Sequence, residues 1–173
     1  MKPSAFFTIR SATSSDAASV YNIMAQAANA QMDKTLFICD DFNFVSRHIS
    51  EEGFTVVACN EESKVIASLI IRYPMSAEDN LGRDIGLNYA ALLRVAHMES
   101  AVVLPCYRGM GLQRQLLLFA ESVIDKNKYQ YLLATVSPDN PASYRSFERC
   151  GYTHVMTKEK YGGLQRRIYQ KEL

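Results

Sequence analysis

The order of predicted strands and helices is the feature of this sequence that most constrains its fold. Runs of β-branched and aromatic residues predict strands at 5–10, 54–59, 64–73, 95–104, 129–136, 152–158 and 164–170. Capping residues and the spacing of apolar positions predict helices at 16–29, 41–50, 109–125 and 140–149. Ser14 or Ser15 is expected to cap the first helix. This order predicts a mixed α/β fold in which helices cover one central sheet.

Size and composition indicate one globular domain. The 173 residues contain no internal repeat, low-complexity tract or Pro/Gly-rich linker, so residues 1–173 are expected to form a single domain. Hydrophobic residues make up 48% of the chain and charged residues 21%, which is typical of globular proteins.

Charge and hydropathy patterns argue against several classes of partner. The net charge is +1, from 19 basic and 18 acidic residues with no basic stripe, so nucleic-acid binding is not expected. The longest apolar runs are far shorter than the ~20 residues of a membrane-spanning helix, and residues 1–7 lack the pattern of a secretory signal. The four cysteines are widely spaced and form no C-x-x-C pair, which argues against a metal site. A cytoplasmic protein without membrane partner or metal is expected.

A glycine-bearing turn between a strand and a helix is the first candidate binding site. Its sequence, from Val102 to Gln113, is V-V-L-P-C-Y-R-G-M-G-L-Q. Gly109 and Gly111 allow a ligand to approach the backbone closely. The unpaired amides of the next helical turn attract an anion, and Arg108 adds a charge suited to phosphate. Taken alone, the segment also fits an ordinary strand-to-helix turn, because a lone Gly-x-Gly is a weak signal.

A capped helix about thirty residues further on is the second candidate segment. It runs from Asn140 to Tyr152 with the sequence N-P-A-S-Y-R-S-F-E-R-C-G-Y. Asn140 is a good helix cap, and Ser143 and Phe147 share one helix face because they are four residues apart. By itself this pattern is equally typical of a structural helix that ends at Gly151.

Together the two segments resemble the GNAT superfamily of acetyltransferases. The first matches that family's acetyl-CoA signature, Q/R-x-x-G-x-G/A, except at its last position, and the second matches its downstream pattern, N-x-x-S/A-x-x-x-Y/F-x-x-x-G-F/Y. The order of strands and helices along the whole chain also fits. The resemblance implies a GNAT-like acyl-CoA N-acyltransferase fold, with a mostly antiparallel sheet, splayed central strands and flanking helices. It implies acetyl transfer from acetyl-CoA to a primary amine of a small molecule or peptide, by direct attack on the thioester.

The resemblance also implies which residues bind the co-substrate. Amides at 110–113, with Arg108, would hold the CoA diphosphate, and the backbones of Val102 and Leu104 would pair with the pantetheine arm. The thioester would lie in a gap between strands 95–104 and 131–136. The implied acetyl-CoA-binding residues are Val102, Val103, Leu104, Arg108, Gly109, Met110, Gly111, Leu112, Gln113, Asn140, Ser143 and Phe147.

Two positions depart from the family pattern. Gln113 stands where glycine or alanine is usual and adds bulk near the phosphates. Phe147 stands where many members have the tyrosine that protonates the departing thiolate, and phenylalanine has no proton to give. CoA would then leave as the thiolate, which a thiol's pKa makes tolerable, or take a proton from water or another group. None of Tyr107, Tyr144 and Tyr161 is favoured for that role, and Tyr144 is expected to pack.

Glu99 and His97 are the candidate catalytic residues. They are two apart on one strand, so their side chains are expected on the same face. In the arylalkylamine branch of the family, catalytic histidines stand nine and eleven residues before the motif arginine, which corresponds here to Glu99 and His97. We expect Glu99 to accept the amine proton, directly or through water, with His97 assisting. Burial is expected to raise the pKa of Glu99 toward the working pH.

The sequence leaves the acceptor and the long connection at 74–93 open. This segment is either a substrate-side loop or surface decoration, and Glu78, Asp79 and Asp84 in it would favour a cationic amine if they faced the site. Because of Phe147, a catalytically weak acyl-CoA sensor is an alternative. Acetylation of a protein N-terminus or lysine is another, and would need an open groove across 74–93. A monomer and a homodimer are both compatible with the sequence.

Overall fold

The computed structural model of the chain describes residues 6–30, 32–33 and 35–173. Residues 1–5, which include the start of the predicted first strand and most of the segment considered for a secretory signal, lie outside the described residues. The strands are β1 Phe7–Ser11, β2 Gly53–Asn60, β3 Val65–Arg72, β4 Val95–Val103, β5 Tyr131–Val136, β6 Thr153–Lys160 and β7 Leu164–Glu172. The helices are α1 Ala17–Ala30, α2 Phe42–Ser50, α3 Tyr89–Leu92, α4 Leu112–Val123 and α5 Pro141–Arg149. None of the helices in the described ranges has the length and hydropathy needed to cross a membrane.

The seven strands form one sheet in the order β1-β2-β3-β4-β5-β7-β6. Neighbouring strands are antiparallel except β4 and β5, which are parallel. The pairing of β4 with β5 extends only from Val95 opposite Tyr131 to His97 opposite Leu133, after which the strands separate. The mixed α/β fold, the mostly antiparallel sheet and the splayed central strands are therefore confirmed.

Helices cover both faces of the sheet because the central strands are apolar on both sides. On β2, Val56 and Ala58 pack in the cluster that contains α4, whereas Val57 and Cys59 pack in the cluster that contains α1 and α2. This alternation follows from the two-residue period of a strand. α4 and α5 thus lie on one face, and α1 and α2 on the other.

The predicted connection at 74–93 is a packed element rather than an open loop. It contains a 3₁₀ turn at Leu81–Arg83 and the short helix α3. Leu81 is buried against Val95, Leu133 and Ile168, which come from β4, β5 and β7. The segment therefore covers the part of the sheet where β4 and β5 begin to separate.

A β-bulge interrupts β4 at Glu99. Ser100 lies opposite Ile70 and Met98 lies opposite Ile71, so Glu99 has no partner in the ladder. A bulge bends the strand and redirects the extra side chain, and bulges are common next to active sites. Here the bulge stands two residues beyond the last pair between β4 and β5.

The start of the first helix differs from the prediction. A 3₁₀ turn at Ser14–Asp16 precedes α1, and the extended residue before it is Thr13, so a cap at Ser14 or Ser15 is wrong. The Asp16 carboxylate accepts a hydrogen bond from the Thr13 amide at 2.8 Å and pairs with Arg10 at 2.7 Å. A carboxylate that reaches back to the cap residue replaces the expected hydroxyl cap.

Candidate active site

A cavity of about 410 Å³, the larger cavity, lies beside the N-terminus of α4 and along α5. Most of the residues implied by the motifs line it: Val102, Val103, Arg108, Gly109, Gly111, Leu112, Gln113, Asn140 and Ser143. Arg149, which the sequence reasoning missed, also lines it. The spacing of Ala142, Ser146 and Arg149 along one face of α5 is the signal that could have found it.

The backbone of the glycine turn is open to the larger cavity. Gly109 and Gly111 have φ values of +80° and +74°, a left-handed conformation that side chains disfavour. A Cβ at either position would meet no atom within 4 Å. Gly111 directly precedes α4, so the first amides of that helix point toward the same space. With Arg108 and Arg149 alongside, this cradle suits a polyanionic ligand.

Gln113 joins the two motif segments. Its side-chain amide donates a hydrogen bond of 2.9 Å to the Ser143 hydroxyl, which ties α4 to α5. The Gln113 side chain, which is larger than the glycine or alanine usual at this position of the family pattern, is therefore directed toward α5. Its backbone remains at the start of α4, where first-turn amides have no partner within the helix.

A second cavity of about 180 Å³, the smaller cavity, lies at the splay of β4 and β5. Five residues line both cavities, so the two adjoin: Leu36, Phe37, Ala101, Asn140 and Ser143. Besides Asn140 and Ser143, the polar side chains of the smaller cavity are Asp40, Glu99, Ser100, Thr135, Ser137, Tyr161 and Arg166. Among the described residues, no group of three His, Cys, Asp or Glu side chains could hold a metal ion.

His97 is placed to orient Glu99 rather than to accept a proton. The ring is buried, with Nδ1 3.2 Å from Glu99 Oε2 and Nε2 accepting the Leu81 amide at 3.1 Å. Because a backbone amide only donates, Nε2 accepts in this network, and Nδ1 is the ring atom that donates to Glu99. The expected contact between His97 and Glu99 is present, and the 74–93 segment supports it through Leu81.

The expectation of a raised pKa for Glu99 is wrong. Burial does raise this pKa, but the hydrogen bond from His97, the electrostatic attraction of His97 and the positive charge of Arg72 together outweigh burial. The pKa of Glu99 consequently lies below its ordinary value, and the group is ionised at neutral pH. A positioned carboxylate of this kind attracts an ammonium ion strongly.

Asp40 is a second carboxylate of the smaller cavity, and the sequence reasoning missed it. It lies between α1 and α2, and the Ser100 hydroxyl donates to its Oδ2 at 2.8 Å. Burial raises the pKa of Asp40, the hydrogen bond from Ser100 offsets part of this, and the charge of Glu99 raises it further. The two carboxylates in this cavity thus have opposite pKa shifts.

Phe147 lines only the smaller cavity and packs against the rings of Tyr152 and Tyr169. Tyr144 packs as expected, with the Arg167 guanidinium 4.4 Å from its ring centre. Tyr161 does line the smaller cavity, and its hydroxyl lies 2.9 Å from the Thr135 hydroxyl. Burial raises the pKa of Tyr161, so this group is protonated at neutral pH.

The predicted backbone pairing of Val102 and Leu104 needs correction. The Leu104 amide donates to the Ile66 carbonyl at 3.0 Å, so it points toward β3. Backbone groups alternate between the two edges of a strand, which directs Val102 toward β3 as well and leaves Ala101 and Val103 at the gap. The Val103 carbonyl indeed faces away from β3 and accepts from Arg108 Nε at 3.3 Å. Leu104 and Met110 line neither cavity.

The 74–93 segment lines neither cavity, so a role as a substrate-side loop finds no support. Asp79 pairs with Arg72 at 2.7 Å. Asp84 pairs with Lys158 at 2.6 Å and also with Lys160. These acids form ion pairs and line neither cavity, although both charges of the Arg72–Asp79 pair are close enough to influence the pKa of Glu99.

Comparison with known proteins identifies a family. The model of the acetyltransferase (GNAT) family matches residues 18–152. The same sequence has no match among curated proteins.

Solved structures resemble the whole chain. The ribosomal-protein-S18-alanine N-acetyltransferase of Escherichia coli superposes with a TM-score of 0.71 at 19% identity, over 96% of this chain and 94% of that one. A GNAT family acetyltransferase of Listeria monocytogenes gives a TM-score of 0.70 at 20% identity, over 96% and 95% of the two chains. A protein of Salmonella typhimurium, described as an acetyltransferase and solved with its cofactor acetyl-CoA, gives 0.70 at 19% identity, over 96% and 93%. At these identities the likeness establishes the fold.

Proposed function

The chain belongs to the GNAT acetyltransferase family, and from that premise we propose that it transfers the acetyl group of acetyl-CoA to a primary amine. The observation that carries this proposal is the pair of adjoining cavities at the splayed strands. One cavity has an open glycine cradle with two arginines, and the other has an oriented carboxylate.

The larger cavity is proposed to hold acetyl-CoA, which supplies an activated acetyl thioester. The amides of residues 111–113 and the charge of Arg108 bind the diphosphate, and Arg149 provides a second charge for phosphate. Ala101 and Val103 offer the free strand edge to the pantetheine arm. A solved neighbour that contains acetyl-CoA supports this assignment.

Glu99 is proposed to bind the acceptor ammonium and to accept its proton, directly or through water. The freed nitrogen lone pair attacks the thioester carbonyl, so that a C–N bond forms while the C–S bond breaks, and the nitrogen then releases its second proton to water. His97 holds Glu99 in place through its Nδ1 proton. Since Phe147 has no proton to donate, CoA leaves as the thiolate or is protonated by water.

Release of free thiol from acetyl-CoA in the presence of a panel of amines tests this function. We expect turnover with at least one class of amine, and the panel includes a peptide with an N-terminal alanine because a structural neighbour is named for that substrate. If the protein binds CoA but turns over none of the amines, the second reading, an acyl-CoA sensor, is correct. The buried Phe147 is the observation that favours the sensor.

A further inference from the structure

The smaller cavity contains a positive charge that acetyl transfer alone does not require. Arg166 on β7 lines this cavity and is only 5% exposed. It takes part in none of the ion pairs among the described residues. A buried charge without a counter-ion is costly, and natural proteins usually pair such charges.

Backbone carbonyls satisfy Arg166 only in part. Its guanidinium donates to the Thr35 and Gln165 carbonyls, which among the described residues accounts for two of its five N–H donors. Its central carbon also lies 5.7 Å from the centre of the Tyr161 ring, another wall of the cavity. The remaining donors have the planar geometry that matches a carboxylate.

The strand period separates Arg166 from its neighbour in sequence. Arg167 stacks on Tyr144 of α5, whereas Arg166 is buried in the wall of the smaller cavity. Alternate residues of a strand face opposite sides of the sheet, so only Arg166 faces the acceptor. Arg167 therefore offers a matched control at the next position.

The charges of the smaller cavity form a complementary pattern. Asp40 and Glu99 supply two negative charges near the splay, and Arg166 supplies one positive charge. A single ammonium is attracted to the carboxylates, and a second cationic group on the same ligand is repelled by Arg166. An anionic group on the ligand gives Arg166 a direct counter-ion, which none of the ion pairs among the described residues provides, since Asp33 interacts with Arg166 only at longer range. Besides burial, the negative charge of Glu99 raises the pKa of Asp40, and a bound ammonium would offset this repulsion between the two carboxylates.

We propose that the smaller cavity binds a free amino acid or a similarly small aminocarboxylate, with its ammonium at Asp40 and Glu99 and its carboxylate at Arg166. The inference rests on the proposed acetyl transfer and names the class of acceptor. The cavity volume of about 180 Å³ limits the acceptor to a small molecule. A peptide N-terminus lacks the adjacent carboxylate, so it is disfavoured, as is a diamine.

The test compares each protein amino acid with its C-terminal amide and its decarboxylated amine. Thiol release is expected to show a kcat/KM for the best amino acid about 30-fold or more above that of its amide and amine, because a buried charge pair that loses one partner is weakened by that order. Arg166→Met should abolish this preference by raising the KM for the amino acid. Arg167→Met should retain the preference.

Calorimetric titration of the same three compounds into the CoA-saturated wild-type protein separates the possible failures. If the amide or amine is used as well as the amino acid, the acceptor class is wrong while acetyl transfer stands. If the amino acid binds selectively but no thiol is released, acetyl transfer is wrong while the binding site stands. If Arg166→Met does not fold, Arg166→Lys, which keeps the charge but not the planar fork, should still weaken amino-acid binding, and unchanged binding would overturn the proposal.

Discussion

Replacement of Glu99 by glutamine is expected to lower kcat for acetyl transfer by about 100-fold or more at neutral pH, since a positioned proton acceptor contributes on that order. Glutamine keeps the size of the side chain and an oxygen that accepts the hydrogen bond from His97 Nδ1. The decrease in kcat therefore measures the contribution of the charge and basicity of the Glu99 carboxylate. The Kd for CoA should not change, because Glu99 lines only the smaller cavity. Glu62→Gln, at an exposed position in the β2–β3 turn, is the matched control and should retain full activity.

The pH dependence of kcat makes this prediction sharper. The pKa of Glu99 is lowered, so the carboxylate stays in its basic form as the pH falls until the pH reaches that low pKa. Wild-type kcat should therefore be level from about pH 6 upward. In Glu99→Gln the proton must pass to solvent, so kcat should rise about tenfold per pH unit below the pKa of the bound amine.

Asp40→Asn distinguishes the two carboxylates of the smaller cavity. Its kcat is expected to stay level with pH as in the wild type, because Glu99 remains the proton acceptor. A rising profile in Asp40→Asn together with a level one in Glu99→Gln would transfer the role to Asp40, whose raised pKa also fits proton acceptance.

Replacement of Gly111 by alanine is expected to raise the Kd for CoA about tenfold or more, which corresponds to about 1.4 kcal/mol of binding free energy. The added methyl group enters the open cradle where the diphosphate is proposed to bind. An L-residue also costs about 1–2 kcal/mol in this left-handed conformation, and this strain favours rearrangement of the turn. Isothermal titration of the variant with CoA measures the effect.

Gly86→Ala controls for backbone strain. Gly86 has a φ of +78°, a Cβ there would meet no atom within 4 Å, and it lines neither cavity. Both variants should lose a similar free energy of unfolding, but only Gly111→Ala should lose affinity for CoA. Equal Kd values for the two variants would show that the diphosphate does not bind at this turn.

The larger cavity could be predicted from sequence because its parts are local. Gly109, Gly111 and Arg108 act through one turn of the chain, and Asn140 and Ser143 through one turn of α5. A short motif fixes such geometry nearly independently of the rest of the fold, so the resemblance to the family pattern could be carried over residue by residue. Arg149 was missed because it stands at a position that the family pattern leaves unspecified.

The smaller cavity could not be predicted because it joins segments that are distant along the chain. Asp40 meets Ser100 across sixty positions, and Thr35 meets Arg166 across 131. Periodicity carries no information about such pairings. The segment at 35–40 joins two helices, and no motif in its sequence marks it as part of a site.

The corrections at β4 have physical causes that a sequence does not display. The edge of β4 that the backbone groups of Val102 and Leu104 face depends on the register of β4 against β3, and the motif does not encode that register. The pKa of Glu99 is lowered because the effects of His97 and Arg72 outweigh that of burial. Only folding brings these two residues close to Glu99.

Binding of the CoA diphosphate by the glycine turn before α4 can be tested by a paired titration. CoA and pantetheine, which lacks the diphosphate and the nucleotide, are titrated into the wild-type protein under identical conditions. We expect one CoA per chain with a Kd below about 1 mM, within the usual range of substrate affinities, and no measurable binding of pantetheine at the same concentrations. Equal affinity for the two compounds, or no binding of CoA at millimolar concentration, would contradict it.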